Sequence, residues 1–185
     1  MKFQPTEIPD VYVIELEPQG DERGFFARTY CEKEFADAGL AARVVNANMS
    51  YSRDKGTLRG MHWQKPPAAE VKLVRCTKGR IYDVAVDVRR NSPTFLNWVG
   101  VELSGESHRM FYVPEGFAHG FLTLEDHTEV TYLVSAFYSG KWERGIRWND
   151  PAVRIEWPIE PMVISDRDHH HADINGPDDE RFATA

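Results

Sequence analysis

Cysteine is scarce: Cys31 and Cys76 are the only two in 185 residues. They cannot build a disulfide framework, and Cys76 lies in an apolar, strand-like run, so a reduced cytoplasm is the expected compartment. Long hydrophobic runs are absent too. Nothing approaches the roughly 20 apolar residues that cross a bilayer as a helix, and the opening MKFQPTEIPD has no apolar stretch like a secretory signal's. Positive charge is in the minority, 22 Lys and Arg against 29 Asp and Glu, for a net charge of −7. With no basic cluster, neither nucleic acid nor a membrane surface is an expected partner. A small anion remains possible if a few cations focus in one cleft, and Arg23, Arg59 and Lys72 are the candidates. There is no internal repeat and no low-complexity linker. The expectation is one domain over residues 1–185, frayed from about residue 176.

Strand signals fill what is left. Residues 11–16, 24–30, 72–77, 81–88, 98–103, 109–113, 120–124 and 129–138 are short runs rich in β-branched and aromatic side chains. Lys78-Gly79, Asn91-Ser92-Pro93, residues 104–107 and Glu115-Gly116 punctuate them as turns. One short helix is expected over 31–40, stopped by Gly39. Many short strands at this spacing argue for a β-sandwich, jelly roll or barrel. In IYDVAVDV, Asp83 and Asp87 share a parity, and their face is expected to meet solvent.

Two stretches do not suit a plain core. In LRGMHWQ, alternation puts Leu58, Gly60, His62 and Gln64 on one face and Arg59, Met61 and Trp63 on the other. Lys72 follows ten residues after His62, on what should be a neighbouring strand. A buried lysine beside a histidine needs an anion or a carboxylate. The second stretch, Pro114-Glu115-Gly116-Phe117-Ala118-His119, has the P-x-G-x-x-H form of the second cupin motif, which belongs to jelly-roll barrels. Metal-binding cupins pair that histidine with an H-x-H and a carboxylate. Here His62-Trp63-Gln64 supplies one histidine of the two, too few for a catalytic metal that takes about three protein ligands. No metal is expected, and His169, His170 and His171 read as surface composition.

Taken in order, GTLRGMHWQ, VKLVRCTKGRIYDVAVDVRRNSPTF, VPEGFAHGFLTLED, TYLVSAFY, ERGIRWNDP and ISDRD resemble the motifs of the dTDP-4-dehydrorhamnose 3,5-epimerases, from about Asp21 to Asp168. The resemblance implies an all-β, cupin-type jelly-roll β-barrel with short peripheral helices. It also implies no metal or redox cofactor, a dTDP-linked nucleotide-sugar substrate, and a homodimer exchanging N-terminal strands. His62 matches the family's base, Lys72 the cation that holds the enolate, Tyr132 the acid, and Asp168 the carboxylate that orients the base. Arg23 and Arg59 match residues near the nucleotide phosphates, and Phe26, Asn48 and Tyr138 match substrate-side positions. His119 is expected to support the site without taking part in the chemistry. Strand parity puts Tyr138 on the face of Tyr132, whereas it turns Arg59 away from His62. Arg28 stands where the family commonly has glutamate, Asn46 where glutamine is usual, and Phe137-Tyr138-Ser139-Gly140 where a Tyr-Tyr-x-Pro turn is common. These departures leave the chemical set intact and put the nucleotide contacts in question. The alternatives are an epimerase of one carbon only, a metal-dependent cupin oxygenase, and a non-catalytic sugar-binding cupin.

Overall fold

The computed structural model describes residues 1–41 and 43–182. Its strands, in chain order, are β1 (Lys2–Pro5), β2 (Tyr12–Glu15), β3 (Gln19–Asp21), β4 (Gly24–Phe26), β5 (Asn46–Ser52), β6 (Thr57–Gln64) and β7 (Lys72–Lys78). They continue with β8 (Arg80–Asp87), β9 (Trp98–Ser104), β10 (Met110–Val113), β11 (Phe117–Thr123), β12 (Thr128–Val134), β13 (Glu143–Gly145) and β14 (Val163–Ile164). Two short helices, α1 (Glu32–Asp37) and α2 (Asp166–His169), lie outside the sheets. One sheet runs β1-β2-β10-β7-β12-β5 and the other β13-β6-β11-β8-β9, with β14 added parallel to β6. The two sheets form the cupin-type jelly roll, and β3 and β4 make a separate hairpin.

Three apolar layers explain the burial. Val74, Cys76, Phe111 and Val130 of the first sheet meet Ile81, Ala85, Leu103 and Phe121 of the second. On the outer face of the second sheet, Met61, Trp63, Val84, Val86 and Ala118 are covered by Ile146, Val153 and Phe182. Phe35 of α1 and Leu73, Met110 and Tyr112 seal part of the first sheet's outer face. Strands β8 and β11 are therefore covered on both faces, and their sequences read as nearly continuous apolar runs.

This double cover overturns the solvent-facing reading of Asp83 and Asp87, which are both 0% exposed. They share the parity of Ile81 and Ala85, and that face is the interior one. Each has its own compensation: Asp83 accepts from His119 at 2.6 Å. Asp87 accepts from Arg89, Ser92 and Thr94. The expected fraying from residue 176 is also not what residues 176–182 do. Phe182 is 5% exposed and stacks on Trp63 with ring centroids 5.9 Å apart. Arg181 donates to the carbonyls of Ala172 and Asp173.

Candidate active site

Strands from both sheets deliver the site. His62 of β6 lies opposite His119 of β11, while Lys72 of β7 and Tyr132 of β12 come from the facing sheet. All four line one cavity of about 680 Å3, together with Arg59 and Asp168. An adjoining cavity of about 250 Å3 shares His62, Lys72 and Tyr132 and adds Asn48, Glu70 and Tyr138. Tyr138 reaches this rim from beyond the end of β12 at Val134, so strand parity is not what places it.

Arg59 lines the same cavity as His62, contrary to simple alternation. The pairing of β6 with β11 shifts register between His119 and Phe121. Such a bulge inserts a residue and exchanges the faces beyond it. Glycine is required at the crossing: Gly60 has φ +128°, and a Cβ there would lie 2.5 Å from the Gly120 Cα. Arg59 is held at the cavity edge by bonds from its guanidinium to Ser52 Oγ and the Tyr51 carbonyl.

Asp168 reaches His62 because β14 lays residues 163–164 along the start of β6. Ser165 then caps α2 by accepting from the Asp168 amide. The carboxylate Oδ1 stands 2.6 Å from His62 Nε2, and Oδ2 accepts the Gly60 N–H at 3.3 Å. Burial pushes the Asp168 carboxyl up, yet the His62 ring and the backbone donor outweigh it and hold it below the usual carboxylate range. As an ionised acceptor it takes the Nε2–H of His62, which leaves the lone pair on Nδ1. Arg167 Nη2 lies 3.0 Å from Nε2 and 3.4 Å from Nδ1. With the Nε2 proton committed to Asp168, the guanidinium finds no acceptor at its nearer contact and approaches the Nδ1 lone pair only at 3.4 Å. Glu143 anchors Arg167 at 2.9 Å and also accepts the Tyr138 hydroxyl.

The carboxylate that Lys72 requires is Glu70, which sequence reasoning did not single out. Its Oε1 lies 3.2 Å from Lys72 Nζ, and both side chains are largely buried. Burial, and then the Glu70 charge, push the Tyr132 hydroxyl up, so it stays protonated beyond the ordinary tyrosine range. His171 was missed as well. His169 and His170 are exposed, as a surface reading requires, but His171 is half-buried, edge-on to the His62 ring at 6.2 Å. Burial lowers the His171 pKa.

The remaining nucleotide-side candidates stand apart. Arg23 is exposed and paired with Asp21 on the β3–β4 turn, and Phe26 is 66% exposed on β4. Neither lines the cavities around His62. Arg28 pairs with Glu34 at 3.0 Å, so its added charge is compensated within the chain.

The comparisons decide the kinship. The family model described as dTDP-4-dehydrorhamnose 3,5-epimerase matches residues 5–175. The chain belongs to that family. An enzyme of that name from Shigella flexneri is 51% identical over 177 residues, covering 95% of this chain and 94% of its own. The solved dTDP-4-dehydrorhamnose 3,5-epimerase of Bacillus anthracis, with TDP and PPi bound, has a TM-score of 0.90 at 43% identity. That alignment covers 94% of this chain and 99% of the other. The Legionella pneumophila epimerase, solved with dTDP-4-keto-L-rhamnose, has a TM-score of 0.85 at 41% identity, covering 90% of this chain and 89% of the other. As a member of this family the chain is an isomerase. Among the described residues, no helix is long and apolar enough to cross a membrane.

Proposed function

We propose that this chain converts dTDP-4-dehydro-6-deoxyglucose to dTDP-4-dehydrorhamnose by inverting carbons 3 and 5. The observation that carries the reading is the His62–Asp168 pair facing Lys72 and Tyr132 across one cavity. A ketone at carbon 4 acidifies the hydrogens on both neighbouring carbons. His62 Nδ1 takes one of them, and the C–H electron pair moves through the new C=C bond onto the ketone oxygen. The Lys72 ammonium holds that enolate oxygen, a role that removes several kcal/mol from such barriers. Tyr132, from the opposite sheet, donates its hydroxyl proton to the other face of the carbon as the ketone re-forms. His62 and Tyr132 then return to their starting forms by exchange with solvent, and the sequence repeats at the second carbon. One proton leaves and one returns, so the reaction balances without a redox cofactor.

Arg59 would meet the diphosphate, since guanidinium forks suit phosphate oxygens. Asn48 and Tyr138 line the rim where the nucleotide would extend, and His119 backs His62, steadied by Asp83. Arg23 and Phe26 fit this scheme in a homodimer, with the N-terminal segment of one copy completing the cavity of the other. Their exposed hairpin supports that arrangement, as does edge strand β5, on which Met49 is 67% exposed. Two free cysteines support a cytoplasmic location. The test is incubation of chelator-treated protein with dTDP-4-keto-6-deoxyglucose in heavy water, followed by NMR of the sugar. Deuterium should enter carbons 3 and 5 without nicotinamide or metal. Exchange that needs a divalent ion would overturn the mechanism, and label at one carbon only would make the chain a mono-epimerase.

A further inference from the structure

We propose that His62, Asp168 and His171 form a binding site for Zn2+ or a similar divalent transition ion, and that the bound ion switches the enzyme off. One ligand atom from each of the three lies within 4.8 Å of the others. Zn2+ holds nitrogen and oxygen ligands at about 2.0–2.2 Å in a tetrahedron, which sets them roughly 3.3 Å apart, so small side-chain rotations close the set. Two imidazoles and a carboxylate suit zinc, nickel and copper.

The second observation is a nitrogen in want of a partner. His171 Nε2 is buried and has no hydrogen-bond partner. A buried polar group left in this state is costly, and a metal ion relieves it directly. The ring sits against Gly145, where a Cβ would collide with that same nitrogen, so the close approach depends on glycine. His169 and His170 are exposed and belong to no such cluster among the described residues.

Three protein ligands leave a fourth position for water, and two of the three, His62 and Asp168, line the main cavity. To meet the ion, His62 gives up the Nε2 proton it shares with Asp168 Oδ1 and carries one on Nδ1 instead, so the neutral ring offers its Nε2 lone pair and Asp168 its carboxylate. With the ring locked to a cation and Asp168 occupied, His62 no longer serves as a base. The Arg167 guanidinium, 3.0 Å from His62 Nε2, opposes a second cation. Its Nη1 is held by Glu143 at 2.9 Å, so the Nη2 edge must turn away from His62 as the ion enters.

The experiment uses full-length protein purified without metal-affinity resin, stripped with a chelator, and titrated with Zn2+ by calorimetry. We expect one Zn2+ per chain, displaced by EDTA. His171→Gln should weaken binding by at least about tenfold to a hundredfold, the scale that loss of even an outer-shell partner produces. A His169→Ala/His170→Ala double variant should bind as the unmodified chain does. Unchanged affinity in His171→Gln, or binding lost in the double variant, overturns the site. If His171→Gln fails to fold, Co2+ added to the unmodified protein decides: four-coordinate absorption bands support the site, and six-coordinate bands alone overturn it. The switch rests on the proposed reaction and is read separately, as the ratio of epimerisation rates with and without Zn2+ in each protein. Stoichiometric binding with no fall in that ratio refutes the switch, whereas failure of the reaction in zinc-free protein refutes the proposed function instead.

Discussion

Replacing Asp168 with asparagine should stop the reaction while leaving the fold in place. The residue is 4% exposed, and its carboxylate serves two donors, His62 Nε2–H at 2.6 Å and Gly60 N–H at 3.3 Å. Asparagine has the same shape but only one acceptor oxygen. If that oxygen faces Gly60, the amide NH2 meets His62 and forces Nε2 to accept. The imidazole proton then moves to Nδ1, the nitrogen that must take the substrate proton. If the oxygen faces His62, the NH2 opposes the Gly60 N–H inside a buried site, and a donor is left unpaired. The first outcome is the wrong-tautomer case, which costs about 10⁴-fold in the well-studied Ser-His-Asp hydrolases. General acid–base groups are worth about 10²–10⁴-fold. We expect kcat to fall by about 10²–10⁴, equivalent to roughly 3–5.5 kcal/mol at about 1.4 kcal/mol per tenfold. KM should change by less than about threefold, because no step of substrate binding uses this carboxylate. The assay is NMR-detected epimerisation beside deuterium wash-in, with a melting curve to confirm folding. A folded Asp168→Asn enzyme with kcat within tenfold of the unmodified one would refute the orienting role.

Tyr132→Phe should keep deuterium wash-in through His62 but lower net epimerisation by about 10²-fold or more; full epimerase turnover in that variant would remove Tyr132 from the mechanism. Phe182→Ala opens a gap against Trp63 and Phe95 and should cost about 3 kcal/mol. For a chain of this size that is a fall of about 6–12 °C in Tm, measured by calorimetry. Asp87 governs acid stability. Burial pushes its carboxyl up, but bonds from Arg89, Ser92 and Thr94 outweigh burial and hold it below the usual range. The unfolded chain therefore binds the extra proton, so this stability is present above about pH 4 and is lost as pH falls through the folded value. Asp87→Asn should flatten the acid limb of unfolding free energy against pH, and with Arg89 still paired to Asp10 it should cost about 1–3 kcal/mol at neutral pH.

The strands covered on one face or both were legible because their apolar runs state burial directly. Strand β5 was not. In NANMSYS the inward positions Asn48 and Ser50 are polar because they face the cavities, while Met49 and Tyr51 point outward at a sheet edge. The usual hydrophobic-in pattern is inverted there, so a periodicity test passes it by. The grouping of His62, Lys72, Tyr132 and Asp168 was legible through ordered motifs, and one cavity brings all four together. Glu70 escaped notice since its meaning lies wholly in its distance to Lys72. The histidine run read as surface because two of its three members are surface, and only the α2 turn tucks His171 inward. Arg59 misled because period-two counting assumes an uninterrupted strand, and the bulge at Gly60 interrupts it.

That interruption also makes strand β6 a measuring stick. Arg59 and His62 now look into the same space from a single rigid strand, three residues or roughly 10 Å of backbone apart. Their backbones cannot move apart, and the Arg59 guanidinium is tied further to Ser52 and the Tyr51 carbonyl. A substrate whose negative charge sits at a different reach from its ketone cannot satisfy both ends at once. On the proposed roles, shortening the diphosphate to a monophosphate should either draw the sugar ring off His62 or leave Arg59 without its phosphate. Under those same roles, substrate length is read along this one strand as much as composition.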